Sequence, residues 1–235
     1  FCIRQYFEVR DGELKVQLVS NILDANAAIA EENRRLFAAN GVFVLNLMSA
    51  PGAGKTTILE KTIMALKGKL RLGVVEGDIC TTQDAERIAA RGIPVVQINT
   101  DGACHLDANM IRRSVQNLPL GELDLLVIEN VGNLVCPAEF DLGEDFKAMV
   151  ISVTEGNDKP TKYPLMFRES RAILVNKLDL QPYTDFSLEV LGKDLAELNP
   201  QAKVFPVSAK TGEGIIEWGQ WLVETVAEKN RSRQQ

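Results

Sequence analysis

The segment from Val42 to Thr57 combines residue types that could hold a nucleotide phosphate. It reads VFVLNLMSAPGAGKTT, so an apolar run suited to a buried strand ends at a glycine-rich turn and a helix-forming run follows. Glycines let the backbone wrap closely, so that successive N–H groups and the positive end of the helix point at phosphate oxygens. In such a P-loop, Lys55 would reach the β- and γ-phosphates and the Thr56 hydroxyl would ligate Mg²⁺. The predicted phosphate contacts are Gly52, Ala53, Gly54, Lys55, Thr56 and Thr57.

The usual first glycine of a P-loop is Ser49 in this chain, so an ordinary glycine-rich turn is the alternative for this segment alone. A second motif, Asn176-Lys177-Leu178-Asp179, closes another apolar run and predicts guanine recognition. The Asp179 carboxylate would accept hydrogen bonds from guanine N1–H and from its exocyclic amine, whereas adenine lacks both donors. Each hydrogen bond to a charged group contributes about 1.5–3 kcal/mol, so adenine would be rejected.

A third segment, Ser208-Ala209-Lys210-Thr211-Gly212, follows the apolar run 204–207 and is similar to the loop that closes over guanine in P-loop GTPases. Either of the two short motifs alone would also fit an ordinary strand-to-helix turn. Three elements in this order, each after a predicted strand, indicate a GTPase domain.

Acidic residues end two further predicted strands, at Glu76 and Asp78 and at Glu129. Glu129 stands where P-loop enzymes place an acid that holds Mg²⁺, and Gly132 could donate its N–H to the γ-phosphate. The alternative is that such acids cap the helices that follow, as Asp84 or Thr81 could. The predicted magnesium ligands are Thr56, Asp78 and Glu129, and the predicted catalytic residues are Lys55, Glu129 and Asp78.

A different chemistry is indicated by Cys104, His105 and Cys136. His105 is the single histidine of the chain and follows a cysteine directly. Both loops that carry these residues leave predicted strands at the same edge of the sheet, so the side chains could converge on a nickel, zinc or copper ion. The alternative is that they are buried structural residues, since free cysteine is among the most buried residue types.

Composition limits the remaining possibilities. The 235 residues suffice for one large α/β domain, and a net charge of −6 with a pI near 5.0 disfavours nucleic acid as a partner. No apolar stretch reaches the length of about 18 residues that a membrane span needs. Four irregularly spaced cysteines argue against a disulfide framework and predict a cytoplasmic protein.

Hydrophobic periodicity predicts a helix over 15–40, an N-terminal segment 1–14, a GTPase domain 15–230 and a C-terminal tail 231–235. Near-continuous apolar strands alternate with amphipathic helices, which predicts a three-layer α/β/α fold with a mainly parallel sheet. The predicted strands are 42–48, 72–76, 94–98, 124–129, 148–153, 172–176 and 203–207. The predicted helices are 55–67, 82–91, 106–117, 184–198 and 214–229. Binding sites of such folds lie at the carboxyl ends of the strands, where every motif above falls.

Taken together, these motifs with Glu155-Gly-Asn-Asp-Lys-Pro160 resemble the HypB family of GTPases, which insert nickel into [NiFe]-hydrogenase. The resemblance covers residues 15–230 and implies a SIMIBI-class P-loop GTPase with a low intrinsic rate. It implies GTP or GDP, Mg²⁺, and Ni²⁺ or Zn²⁺ on Cys104, His105 and Cys136. It also implies a homodimer promoted by GTP, a nickel-delivery accessory protein and the hydrogenase large subunit as partners, and Ser in place of the first P-loop glycine.

Two departures from the family pattern concern the metal. Some members begin with a cysteine-rich or histidine-rich nickel motif, whereas this chain has only Cys2 there. Some carry a second histidine where this chain has Asn109, and Cys80 is either a substitute ligand or a buried thiol. Lys159 is either a residue that reaches the partner's nucleotide or a solvated loop charge.

The alternative functions are a GTPase that serves urease or a cobalamin-dependent mutase, a P-loop kinase, and a metal carrier without enzyme activity. By resemblance, the urease protein would use a Cys-Pro-His motif that is absent here, and the mutase protein would lack the pairing of Cys104-His105 with Cys136-Pro137. A kinase would not need Asp179, and a carrier would need neither Asp179 nor Lys55.

Overall fold

The computed structural model describes residues 12–78 and 82–232. The predicted N-terminal segment up to residue 11, with Cys2, lies outside these ranges, as do Cys80, Thr81 and the last three residues of the tail.

Within the described ranges the sheet has seven strands, all parallel to their neighbours, in the order β3-β2-β4-β1-β5-β6-β7. The strands are β1 Phe43–Ser49, β2 Leu72–Asp78, β3 Val95–Asn99, β4 Leu125–Gly132, β5 Phe146–Ser152, β6 Ser170–Asn176 and β7 Lys203–Pro206. Each overlaps a predicted strand, and the predicted mainly parallel sheet is confirmed.

Helices cover both faces of this sheet. The helices of the described ranges are α1 Gly12–Ala39, α2 Lys55–Leu66, α3 Gln83–Ala89, α4 Ala108–Ser114, α5 Cys136–Glu139, α6 Lys159–Lys162, α7 Pro164–Glu169, α8 Leu188–Leu198 and α9 Ile215–Ser232. Short 3₁₀ turns lie at Val115–Asn117, Leu120–Glu122, Val153–Glu155 and Leu178–Tyr183.

Strand β1 shows how the layers form. Side chains alternate between the two faces of a strand, and both faces of β1 are buried. Phe43 and Leu45 pack in one core with Ile58 of α2 and Trp218 of α9. Val44 packs on the opposite face, in a core that helices α1 and α4 complete. The chain therefore has the predicted three layers.

Several predicted boundaries were wrong, for local reasons. Helix α4 begins at Ala108 rather than 106 because the Asp107 side chain caps it and accepts a hydrogen bond from Met110 N. Helix α8 begins at Leu188 rather than 184 because Ser187 caps it in the same way. Strand β4 continues past 129 because Gly132 still pairs with Ser49.

Helices α5, α6 and α7 were not predicted at all. Each has a proline in its first two positions, where the missing N–H costs nothing, and each is only four to six residues long. Such lengths are too short for a hydrophobic period to be visible in the sequence.

In the part of the chain that the structure describes, no helix combines the length and the apolar character that crossing a membrane requires.

Candidate functional site

The glycine-rich turn lies between β1 and α2, at the carboxyl edge of the sheet. Gly52 and Gly54 have φ values of 75° and 94°, which is the left-handed region that favours glycine. A Cβ at Gly54 would lie 2.4 Å from the Asn176 amide nitrogen, so no larger residue fits there. The turn therefore has the backbone of a phosphate-binding loop and packs directly against the end of β6.

The start of α2 faces two carboxylates. The Thr56 hydroxyl lies 2.6 Å from Oε1 of Glu129 and 3.0 Å from Oδ2 of Asp84. Its single proton can be donated to only one of them at a time. The Lys55 ammonium lies 3.6 Å from the same Glu129 oxygen. The structure therefore brings Lys55, Thr56 and Glu129 together at the start of α2.

Glu76 lies beside Glu129 across the β2–β4 pairing, and both carboxyls are buried. Burial and the nearby Glu129 carboxylate raise the pKa of Glu76 to about 8. Burial also raises the pKa of Glu129, although Lys55 and Thr56 act against it. Among the described residues, Oε2 of each glutamate has no hydrogen-bond partner.

These unpartnered acceptors identify a place for a cation. Buried polar atoms without partners are costly, and carboxylate and hydroxyl oxygens are the donors that Mg²⁺ prefers. Asp78, the last residue of β2, lies close enough to Glu76 to contribute to its raised pKa. The oxygen donors present at this edge of the sheet thus fit Mg²⁺.

Asp84 belongs to this cluster and was not predicted as a site residue. The capping role considered for it is wrong, because Thr82 occupies the N-cap of α3 and Asp84 lies in the first turn. Its two carboxylate oxygens bind Thr56 and Arg87. The signal in the sequence was an acid at the start of the helix after β2, which capping explains equally well.

The Asn-Lys-x-Asp motif fastens the phosphate loop to the next loop of the sheet edge. The Asn176 amide donates to Ala53 O at 2.8 Å and accepts from Ala209 N at 3.0 Å. The Lys177 ammonium donates to Gly52 O at 2.8 Å. Both side chains therefore bind backbone atoms of the phosphate loop. Asn176 also binds the Ser208–Gly212 loop, so it fixes the position of one loop relative to the other.

Asp179 lies three residues after Asn176, and its side chain is partly exposed. One of its oxygens accepts a hydrogen bond of 2.6 Å from the Ser208 hydroxyl. The other lies 3.9 Å from the Lys210 ammonium, which is itself 81% exposed. The carboxylate is thus oriented by its neighbours and keeps acceptor capacity for a base.

The second cluster joins Cys104, His105 and Cys136. Their ligand atoms all lie within 4.8 Å of one another. The two sulfur atoms are 3.3 Å apart, and Cys104 Sγ is 3.8 Å from Nδ1 of His105. Burial lowers the pKa of His105, which favours the neutral imidazole that binds metals. Two thiols and a neutral imidazole form a donor set suited to Zn²⁺, Ni²⁺ or Cu⁺.

Residues of the β4–α5 segment hold this cluster from both sides. The Asn133 amide donates to Cys104 O at 3.1 Å, and its oxygen accepts from Val135 N. The ring of Phe140 packs against His105, with 3.9 Å between the ring centroids and 30° between the ring planes. Cys136 is the first residue of helix α5, so the predicted loop position was wrong.

The same segment also touches the phosphate loop. Gly132 ends β4, and a Cβ there would come within 3.1 Å of the Pro51 backbone. Cys136 follows four residues later. A single stretch of chain therefore runs from the phosphate loop to the thiol cluster.

Comparisons with known proteins show which family this chain belongs to. The family model described as "CobW/HypB/UreG, nucleotide-binding domain" matches residues 43–206. The hydrogenase maturation factor HypB of Escherichia coli K12 is 51% identical over 202 residues, which cover 86% of this chain and 70% of that protein. The crystal structure of HypB from Helicobacter pylori in complex with nickel matches with a TM-score of 0.84 and 38% identity, covering 88% of this chain and 97% of that one. The crystal structure of hydrogenase maturation factor HypB from Archaeoglobus fulgidus matches with a TM-score of 0.81 and 38% identity, covering 87% of this chain and 100% of that one. This chain, with its P-loop at the sheet edge and its paired thiols beside it, therefore belongs to the HypB family of hydrogenase maturation factors.

Proposed function

We propose that this chain is a Mg²⁺-dependent GTPase that carries nickel on Cys104, His105 and Cys136 and assists its insertion into a [NiFe]-hydrogenase. The observation that carries the proposal is the continuous segment from Gly132 to Cys136, which contacts the phosphate loop at one end and supplies a thiol at the other. A protein with two unrelated sites would not need this connection.

The nucleotide would lie on the phosphate loop. Backbone N–H groups at Gly52–Lys55 and the start of α2 supply the positive end for the phosphates. Thr56, Asp78 and Glu129 would hold the magnesium ion, which neutralises charge on the phosphates when bound. Asp179 would distinguish guanine from adenine. Gly132 would donate its N–H near the γ-phosphate, while Ser208, Ala209 and Lys210 enclose the base.

The rate of hydrolysis is expected to be low. Phosphoryl transfer depends on positioning and on charge stabilisation, and an arginine finger accelerates it strongly. Arg87, whose guanidinium lies beside helix α2, is engaged by Asp84 and Glu60. Lys55 is therefore the proposed source of positive charge for the transferred phosphoryl group.

Nickel, in this proposal, is the substrate that the protein transfers. Three protein donors leave a coordination position open for water, for Cys80 or for a ligand from another chain. Zinc suits the same donors, and the Irving–Williams order separates nickel and zinc little, so selectivity would come from geometry. The H. pylori HypB structure, described as a complex with nickel, supports the choice of nickel.

We further propose that GTP promotes a homodimer. Lys159 is the candidate for reaching the partner's nucleotide. In the single chain its ammonium donates to Glu155 O at 2.7 Å and lies 3.2 Å from Asp158 Oδ1. Reaching across an interface would require these contacts to break, so the dimer must supply contacts that replace them.

Nucleotide competition with a metal titration tests the proposed function. A fluorescent GDP bound to the magnesium-loaded protein should be displaced by GTP and not by ATP. Nickel and zinc should each bind at a stoichiometry near one per chain, and replacement of Cys104 by Ser should lower both affinities. Displacement by ATP, or metal binding that is indifferent to Cys104→Ser, would contradict the nucleotide or the metal assignment respectively.

The second candidate is a maturation GTPase for urease or for a cobalamin-dependent mutase. The family model covers UreG as well as HypB, which keeps the urease role as a candidate. The Cys104-His105 and Cys136-Pro137 pairing favours the hydrogenase role. Restoration of hydrogenase activity in a cell that lacks its own factor would separate the candidates.

A further inference from the structure

Helix α1 reaches the chain on both sides of the thiol cluster through the side chain of Asn26. Its amide oxygen accepts a hydrogen bond of 2.8 Å from Ala108 N, three residues after His105. Its amide nitrogen donates to Asp141 O at 2.7 Å, immediately after Phe140. One side chain therefore connects the two stretches of chain that leave the cluster.

Asn33, two turns further along α1, makes the same connection a second time. Its amide nitrogen donates to Ala108 O at 2.8 Å and to Leu142 O at 3.0 Å. The side chain is only 1% exposed, and its own oxygen has no partner among the described residues. Asn33 therefore joins the same two stretches of chain from the buried side of α1.

The two joined stretches carry the metal donors. Ala108 lies three residues beyond His105, and Asp141 follows Phe140, whose ring packs against His105. Cys136 belongs to the helix that ends one residue before Phe140. A change in the distance between Ala108 and Asp141 would therefore move the imidazole relative to the Cys136 thiol.

We propose that Asn26 and Asn33 are positioning residues that set the separation between the Cys104-His105 loop and helix α5, and hence the affinity of the cluster for a divalent metal. The proposal rests on the metal site of the proposed function. Groups that orient metal ligands without touching the metal typically contribute about 10–100-fold to affinity. The four hydrogen bonds from α1 are arranged for that role, because each asparagine bridges both stretches.

The test compares Asn26→Ala and Asn33→Ala with a matched control, Asn199→Ala. The Asn199 amide also ties backbone carbonyls together, at Phe167, Arg168 and Ser170, but it does so at the opposite end of the sheet order. All three variants lose an asparagine that bridges segments of backbone. They differ in that only the partners of Asn26 and Asn33 continue directly along the chain to the metal donors, whereas helix α7, which Asn199 holds, reaches helix α5 only through side-chain packing.

Two measurements are made on each variant. The first is nickel affinity, from competition with a chelator, together with the thiolate-to-nickel charge-transfer absorption. The second needs no metal and is the rate at which diamide joins Cys104 to Cys136, whose sulfurs are 3.3 Å apart, in a background with Cys2→Ser and Cys80→Ser. Each disulfide formed removes two electrons and two protons from the thiols, and diamide is reduced to the hydrazine. Melting temperature and GDP affinity report whether each variant is folded.

Both asparagine variants are expected to lose about tenfold or more in nickel affinity, with weaker charge-transfer absorption and slower disulfide formation. Asn199→Ala should change none of these. When Cys136 is already serine, the asparagine substitutions should have little further effect, because they act through the placement of that thiol.

The remaining outcomes distinguish the two proposals. Nickel affinity that is unchanged by Cys136→Ser overturns the metal site, and the disulfide rate then decides the role of the asparagines separately. Unchanged affinity and unchanged disulfide rate in folded Asn26→Ala overturn the positioning role while the metal site stands. Equal losses in Asn199→Ala assign the effect to general stability and also overturn it. If Asn33→Ala does not fold, Asn26→Asp, which keeps the acceptor for Ala108 N and loses the donor to Asp141 O, takes its place.

Discussion

Glu76 and Glu129 lie side by side on neighbouring strands, and both side chains are buried. Glu76 and Glu129 are 3% and 1% exposed, and each leaves one carboxylate oxygen without a partner in the described part of the chain. Two buried carboxyl groups on paired residues repel each other when both are ionised, so ionising both costs free energy. In the proposed function a bound Mg²⁺ would offset this repulsion, and without the cation the pair makes the stability of the protein sensitive to pH.

The first prediction concerns that sensitivity in the magnesium-free protein. The folded-state pKa of Glu76 is raised to about 8 from an ordinary value of 4.5, so the native state keeps a proton that the unfolded chain has lost between these pH values. The contribution of Glu76 to the free energy of unfolding should therefore be highest below pH 4.5. It should fall as the pH rises to about 8 and then level off. Glu76→Gln should remove this decline.

Thermal unfolding at pH 5 and at pH 9 measures the effect. At pH 9 the Glu76→Gln protein should melt at least about 2–4 °C above the unmodified chain, which corresponds to about 1 kcal/mol for a chain of this size. At pH 5 the difference should be much smaller. The control is Glu197→Gln, which changes an exposed carboxyl in helix α8. A gain that is the same at both pH values would contradict the burial argument.

The second prediction concerns the base. Asp179→Asn keeps an oxygen for the Ser208 hydroxyl but replaces one acceptor by a donor that faces the donors of guanine. Loss of one charged hydrogen bond, at about 1.5–3 kcal/mol, should weaken GTP binding about 10–150-fold and leave weak ATP binding unchanged. Isothermal titration with both nucleotides measures this.

Lys55→Ala is the comparison for that experiment, because Lys55 is proposed to contact phosphates that GTP and ATP share. It should abolish turnover without altering the preference for guanine. Hydrolysis of ATP as readily as GTP by the unmodified chain would show that the base assignment is wrong.

At the scale of the element, the strand ends explain how much the sequence predicted. A buried parallel strand needs a continuous apolar run, and the polar residue that ends the run lies at the carboxyl edge of the sheet. Glu76, Glu129 and Asn176 could therefore be placed at that edge from the sequence alone. The convergence of Cys104 with Cys136 followed from the same reasoning, although the spacing left burial as an equal alternative.

Contacts between distant elements could not be predicted in this way. Asn26 and Asn33 lie on a helix whose apolar period is visible, but an asparagine on a helix gives no sign of the carbonyl that it binds about 75 to 115 residues later. The contact of Asp84 with Thr56 was not predicted either, because an acid at that position could equally well have capped the helix. The short helix α5, which presents Cys136, lacks a period altogether.

The third prediction concerns helix α5 as the element that presents a metal ligand. Cys136→Ser should lower the affinity for nickel and for zinc by about tenfold or more, because serine is a poor ligand for these metals. The domain should stay folded, since the side chain changes little in size. Affinity in the unmodified chain should also fall as pH decreases, because thiols must lose their protons to bind.

Chelator competition from pH 8 down to pH 6 measures both effects, with Cys2→Ser as the matched control. An affinity that survives Cys2→Ser would assign the loss to Cys136 rather than to the removal of any one thiol. Equal stoichiometry and affinity in the Cys136→Ser protein would mean that this thiol is structural.

At the scale of the whole molecule, β4 connects the two candidate sites. Glu129 lies beside Lys55 and Thr56, and Asn130 directly after it accepts a hydrogen bond from Leu106 N, the residue after His105. The Asn130 amide also donates to Asn46 on β1, in the buried layer beneath the phosphate loop. A shift of β4 caused by the nucleotide would therefore reach the loop that carries Cys104 and His105 and helix α5, which carries Cys136.

The last prediction is that nucleotide and metal alter each other's affinity and the oligomeric state. The residues from Gly132 to Cys136 contact the phosphate loop and supply a thiol, so one movement of this segment affects both sites. If the GTP-bound form changes nickel affinity by some factor, nickel must change GTP affinity by the same factor, typically about 5–150-fold. Sedimentation with GDP or a non-hydrolysable GTP analogue, each with and without nickel or zinc, should show a dimer favoured by the GTP analogue. The Cys136→Ser protein is the control, because it should still dimerise with the analogue but lose the influence of metal. Metal affinity and oligomeric state that are both indifferent to the nucleotide would mean that the two sites share a fold and nothing more.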